Sequence, residues 1–144
     1  MALRARLTRT TFSLLLGKVH ALVGGAVNAR LLLFLFLHGF PDHPPTAVPF
    51  LEHLAETHRL VAPWLRGYAP SPIVGLYDLD TLAADALALI DRLSGQVDLF
   101  GGDWGGAITA LLPASWPWTS FLGAGQNHVF ELEARRDDAR ALAA

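Results

Sequence analysis

The sequence contains no cysteine, and no aspartate or glutamate precedes Asp42. The first absence excludes disulfides and thiol chemistry and leaves the compartment open. The second leaves Arg4, Arg6, Arg9, Lys18 and Arg30 unopposed at the start of the chain. With Phe12-Ser13-Leu14-Leu15-Leu16, such a start resembles a targeting segment, although Lys18 and His20 interrupt its short apolar core. Residues 21–37 are mostly apolar, but Asn28 and Arg30 sit centrally, which argues against a membrane span. A cytoplasmic protein is expected, with a targeted or membrane-attached one as its rival. Repeats and low-complexity tracts are also missing, so no repeat architecture is expected. His53 and His58 are five apart, off the i, i+4 spacing of helical metal ligands, and no metal site is expected.

What is present is apolar. Hydrophobic residues make up 52% of 144 positions, and the mean hydropathy is +0.35. That is one domain by size, long enough to bury about two-thirds of its unfolded surface. The apolar content suggests a sheet buried on both faces, or sequence beyond this chain that would cover apolar surface. A net charge of −2 steers it to neither nucleic acid nor anionic membranes.

Residues 1–30 read as a poorly defined N-terminal segment with one or two short strands and Gly24-Gly25 as a turn. The run Leu31 to Leu37, stopped by His38-Gly39-Phe40-Pro41, fits a strand buried on both faces. A helix follows from Pro44 to His58, with apolar positions at Val48, Leu51, Leu54 and Ala55. Leu60-Val61-Ala62 is the next strand. Asp78 or Asp80 caps a helix whose stripe is Leu82, Ala86, Leu89, Ile90 and Leu93, and Ser94-Gly95 ends it. Val97 to Phe100 is a strand, and a helix runs on from Asp103 through Leu111 to stop before Pro113. Ser115-Trp116-Pro117-Trp118 reads as a loop, and Phe121-Leu122 as a short strand closed by Gly123 and Gly125. Residues 31–125 thus form an α/β core, and 126–144 a C-terminal helical tail. The alternation is that of a mostly parallel sheet with helices on both faces.

The chemistry concentrates at Gly101-Gly102-Asp103-Trp104-Gly105-Gly106. A strand running into small-x-acid-x-small, followed by an apolar helix, is a nucleophile elbow with aspartate where an esterase carries serine. A carboxylate nucleophile suits an alkyl carbon, as in an epoxide or haloalkane, and leaves an alkyl ester on the enzyme.

His38-Gly39-Phe40-Pro41, Arg66-Gly67-Tyr68 and the elbow, in this order and spacing, resemble the α/β-hydrolases of the epoxide hydrolase and haloalkane dehalogenase group. Tyr77-Asp78-Leu79-Asp80-Thr81-Leu82 is similar to the helix preceding the elbow strand in that group. The likeness spans about residues 31–112. It implies Asp103 as the catalytic nucleophile, the backbone N–H groups of Phe40 and Trp104 as the oxyanion hole, and no cofactor. His38, Gly39, Pro41, Gly101 and Gly105 shape the site, Pro41 as the cis-proline candidate and His38 as a brace for its loop. Arg66 reads as one half of a structural ion pair. Dehalogenases of this group usually place asparagine where Phe40 stands, so the resemblance favours epoxides, and a small apolar epoxide or haloalkane is the expected partner.

The pattern also departs from the group. Gly102 stands where histidine is common, which loosens the turn, and Trp64 stands where many relatives carry aspartate. The group continues with a cap domain and late strands bearing the orienting acid and the catalytic histidine. Here His128 is the one histidine after Asp103. The expectation is therefore a partial α/β-hydrolase fold, apparently truncated, with cap and late strands missing. Its rival in function is a catalytically incomplete homologue that binds a ligand or partner. Self-association through an exposed sheet edge is a further expectation.

Overall fold

The computed structural model describes residues 6–14, 17–25, 33–93, 97–112, 118–125 and 128–132. Seven strands form one mixed sheet: β1 (Thr8–Leu14), β2 (Gly17–Gly24), β3 (Leu33–Leu37), β4 (Arg59–Pro63), β5 (Val97–Gly102), β6 (Trp118–Gly125) and β7 (His128–Leu132). Their order across the sheet is β1-β2-β4-β3-β5-β6-β7. The central four, β4, β3, β5 and β6, run parallel. Antiparallel pairs lie at both margins.

Alternation along β3 explains the layers. Leu33, Leu35 and Leu37 pack with Val97 and Leu99 against Leu82, Ala86, Leu89, Ile90 and Ile108, which come from α2 (Leu79–Leu93) and α3 (Trp104–Ala110). Phe34 and Phe36 point to the opposite face, toward Leu51 and Ala55 of α1 (Val48–Ala55). Both faces are thus covered, which is why the strand reads as an unbroken apolar run. The chain leaves β3 for β4 on one side and arrives at β5 on the other, with α1 and α2 on opposite faces. This reversal of strand order opens a crevice at the carboxyl ends of β3 and β5.

Local signals set the element ends. Pro44 to Ala47 makes a 3₁₀ turn leading into α1. Asp78 caps α2, its Oδ1 accepting the Thr81 N–H at 2.9 Å, and that bond holds the Asp78 carboxyl below the usual carboxylate range. Ser94 and Gly95, expected to end this helix, lie outside the described residues, as do Leu31, Leu32 and Pro113. No helix among the described residues is long and apolar enough to cross a membrane.

Three expectations change. Trp118 begins a strand rather than closing a loop, while 113–117 lie outside the described residues. Gly123 does not close β6: it sits within the strand, paired with Gly101 on one side and Phe130 on the other. A glycine read as a stop is here a position in the ladder, beside another glycine. Finally, His128–Leu132, placed in a helical tail, is strand β7. Val129-Phe130-Glu131-Leu132 is rich in the β-branched and aromatic residues that favour a pleated surface. The rest of that tail lies outside the described residues.

Candidate active site

The elbow lies where β5 meets α3. Asp103 has φ 52° and ψ −111°, and among the described residues it is the one non-glycine with positive φ. A side chain held there costs about 1–3 kcal/mol and persists only where its surroundings over-determine it. Backbone approach provides that constraint. A Cβ on Gly105 would fall 2.0 Å from the Leu37 carbonyl oxygen, and one on Gly101 would fall 2.3 Å from the Gly105 oxygen. The end of β3, the end of β5 and the first turn of α3 therefore touch main chain to main chain. The Asp103 carbonyl accepts the Ala107 N–H at 3.1 Å and starts the helix.

Across the crevice, Phe40 N–H donates to Asp103 Oδ2 at 3.0 Å, although 63 positions separate the two. Gly39 makes room, since a Cβ there would stand 2.7 Å from the Asp103 Cβ. The Phe40–Pro41 peptide bond is cis. His38 ties this loop down from within the protein. Its Nε2 accepts the Leu65 N–H at 3.0 Å, and its Nδ1 lies 2.9 Å from the Gly39 carbonyl oxygen. That pattern requires a neutral imidazole with its proton on Nδ1. Burial pushes the imidazole below its ordinary pKa. Tyr68 sets its ring edge-on against His38, with centroids 4.6 Å apart. Its hydroxyl is pushed up by burial, then by the negative charges of Asp103 and Asp42.

Two cavities flank Phe40, whose side chain is 63% exposed. One, of about 510 Å³, is lined by Phe36, His38, Phe40, Asp42, Thr46, Phe100, Gly102 and Asp103. The other, of about 620 Å³, is walled by Phe40, Leu65, Arg66, Tyr68, Tyr77, Leu82 and Trp104. Asp103 opens into the first and the Trp104 side chain into the second. Arg66 is held by Asp85 through contacts of 2.7 and 3.0 Å, and this hydrogen-bonded pairing raises its pKa further.

The crevice thus gathers Asp103, Phe40, His38, Gly39, Pro41, Gly101 and Gly105. Asp78 and Asp80 stay at the start of α2, and His53 is exposed on α1 near Glu56. Sequence reasoning passed over Phe36, Phe100, Asp42 and Thr46 as cavity-lining residues. Strand alternation was the available signal for the first two, since Phe36 and Phe100 occupy the α1-facing positions of β3 and β5. Among the described residues no group of three or more His, Asp or Glu side chains is arranged to hold a metal.

The family model described as alpha/beta hydrolase fold matches residues 33–117. Epoxide hydrolase 4 of Mus musculus is 37% identical over 89 residues, which is 59% of this chain and 25% of that protein. The soluble epoxide hydrolase of Corynebacterium sp. (strain C12) is 35% identical over 77 residues, 51% of this chain and 27% of that one. The crystal structure of an epoxide hydrolase from Vigna radiata matches with a TM-score of 0.73 at 29% identity, covering 81% of this chain and 39% of that one. The chain spans about a quarter of the length of the curated relatives it matches.

Proposed function

The chain belongs to the α/β-hydrolase fold family, and from that premise we propose that it is a hydrolase of the epoxide hydrolase type with Asp103 as its nucleophile. One observation carries the reading: a strained aspartate between β5 and α3 whose Oδ2 accepts the Phe40 N–H at 3.0 Å. That hydrogen bond fixes one carboxylate oxygen and leaves the other free to approach an alkyl carbon. Attack forms a C–O bond to Asp103 and breaks the ring C–O bond. The ring oxygen leaves with the electron pair and takes up a proton from solvent water, giving a hydroxyalkyl ester.

Water then adds to the carboxyl carbon of the ester, giving a tetrahedral oxyanion. Its collapse breaks the bond from that carbon to the alkyl oxygen, releasing the diol and restoring the Asp103 carboxylate. The Phe40 N–H, already directed at this carboxyl group, and the Trp104 N–H at the start of α3 stabilise the resulting oxyanion. A donor in this position is worth about 10²–10³ in rate. His38 is not the base for this step, because both of its ring nitrogens are engaged and burial disfavours its charged form. With His38 engaged in this way among the described residues, a second reading is that Asp103 is alkylated once and the ester persists.

Incubation with styrene oxide, followed by intact mass, peptide mapping and diol chromatography, tests both. Diol formation abolished by Asp103→Asn supports turnover. A stable adduct mapped to Asp103 supports the single alkylation. A folded protein that yields neither overturns the nucleophile assignment.

A further inference from the structure

The cavity into which Asp103 opens contains a position without a side chain. Gly102 lines it, and among the described residues beyond its chain neighbours a Cβ built there comes within 4 Å of Phe100 Cε1 alone, at 3.8 Å. Phe100 lines the same cavity, so a side chain at 102 would extend into that space rather than into the protein. In this Gly102 differs from Gly105 and Gly39, where the backbone leaves no room. Among the described residues, none demands glycine at 102 by packing. Its effect is to leave a slot open directly beside the carboxylate.

Phe36 and Phe100 line the cavity and belong to a row of flat rings that continues behind them. Phe36 and Phe100 stack with centroids 5.2 Å apart and planes 5° from parallel, and Phe34 continues the row at 6.4 Å from Phe100. Phe50 leans on the same ring at 5.8 Å. The order is imposed from below, because Phe34 and Phe36 are alternate residues of β3 and Phe100 is the register partner of Phe36 on β5.

We infer that the slot over Gly102 receives an aryl substituent of the substrate, and that Gly102 is the specificity-determining position. The substrate class is then an aryl-substituted epoxide, its electrophilic carbon at Asp103 and its ring laid along Phe100. The inference rests on Asp103 being the nucleophile, which places the reacting carbon in this cavity rather than in the one beyond Phe40. A flat ring extends the stacked row and gains offset aromatic contact that an aliphatic substituent lacks, worth about tenfold in rate. A branched side chain at 102 removes the space the ring needs.

The test compares styrene oxide with propylene oxide on the full chain, as wild type, Gly102→Ala, Gly102→Leu and Asp103→Asn. Adduct plus diol is followed over time, and circular dichroism verifies the fold of each variant. Binding of 1-phenylethane-1,2-diol is read in parallel by ligand-observed NMR. The expected result is a styrene oxide preference of about tenfold or more in the wild type, intermediate in Gly102→Ala and lost in Gly102→Leu. If Gly102→Leu does not fold, the graded loss in Gly102→Ala decides alone. Equal rates with the two epoxides, or an equal slowing of both by the substitutions, overturn the slot while leaving the nucleophile in place. Absence of reaction with either epoxide, together with diol binding lost on substitution at 102, overturns the nucleophile and keeps the slot. Absence of both reaction and binding overturns the slot.

Discussion

Replacing Asp103 by glycine and, separately, by alanine isolates the strain of the elbow from the chemistry of its carboxylate. Both substitutions delete the carboxylate and its hydrogen bond from the Phe40 N–H, so that loss cancels between them. What remains is the backbone. At φ 52° and ψ −111° a residue with a Cβ carries about 1–3 kcal/mol of strain that glycine does not. Glycine loses more conformational freedom on folding, which costs about 0.5–1 kcal/mol relative to alanine. The difference makes Asp103→Gly more stable than Asp103→Ala by up to about 2.5 kcal/mol. At an ordinary helix-start or strand-end position the order is reversed, with alanine ahead by up to about 1 kcal/mol. The sign is therefore the test. Urea unfolding followed by tryptophan fluorescence and far-UV circular dichroism gives the two midpoints, which should differ by up to about 1 M in favour of glycine at equal slope. An alanine variant more stable than the glycine variant would refute the claim that the fold holds Asp103 under strain.

The glycines around the elbow divide by what a methyl group would meet. Gly105→Ala places a Cβ 2.0 Å from the Leu37 oxygen and should cost about 1–3 kcal/mol or more in urea unfolding. Gly102→Ala, whose Cβ comes no nearer than 3.8 Å to any described residue beyond its chain neighbours, should be neutral or stabilising by about 0.4–1 kcal/mol. Equal losses at both positions would contradict the packing described. His38 predicts a pH dependence. The unfolded imidazole takes up a proton near 6.5, whereas the folded one, pushed down by burial, takes it up at lower pH. The unfolded state then binds more protons, so stability is full above that value and declines as pH falls from it toward the folded pKa. Urea midpoints at about pH 7.5 and about pH 5 should differ more for the wild type than for His38→Gln, and an unchanged difference would rule His38 out as the cause. Asp85→Asn removes the charge from a pair whose side chains are 11% and 12% exposed. It should cost about 1.5–3 kcal/mol in the same assay, the value of a hydrogen bond to a charged group, and a loss under about 0.5 kcal/mol would class the pair with surface ion pairs.

The parts of the fold that could be read from the sequence were those where one local rule acts without competition. Leu31 to Leu37 is apolar throughout and stopped by Gly39 and Pro41, and β3 is found at Leu33–Leu37. Asp78 precedes a helical stripe and caps it. The elbow is legible because Gly101 and Gly105 are required by backbone approach, which leaves a fixed spacing around Asp103 in the sequence. The rest depended on partners that no local rule names. Gly123 looks like a terminator until Gly101 is known to lie beside it. Phe36 and Phe100 look like core residues, and half of that is correct, since Phe36 is 7% exposed yet lines the cavity of Asp103. Which face of a doubly buried strand borders the site is decided by the crossover that follows, and that is a property of the whole sheet.

The register between β3 and β5 joins the fold to the site. Leu37 pairs with Gly101, so two residues further on Gly39 stands level with Asp103, and the next main-chain N–H reaches its carboxylate. A slip of one residue would turn every side chain of β3 to the other face, sending Leu35 and Leu37 toward α1 and Phe36 toward α2. The same slip would bring a different residue opposite Asp103 and remove the Phe40 N–H from Oδ2. The leucines that specify the register are therefore also what positions the donor, although none of them touches the carboxylate. Because that donor is main chain, substitution of the Phe40 side chain leaves it in place and only proline removes it. Loss of the site by mutation should accordingly come from two sources: the Asp103 side chain itself, and core substitutions that loosen the β3–β5 pairing and so move the Phe40 N–H.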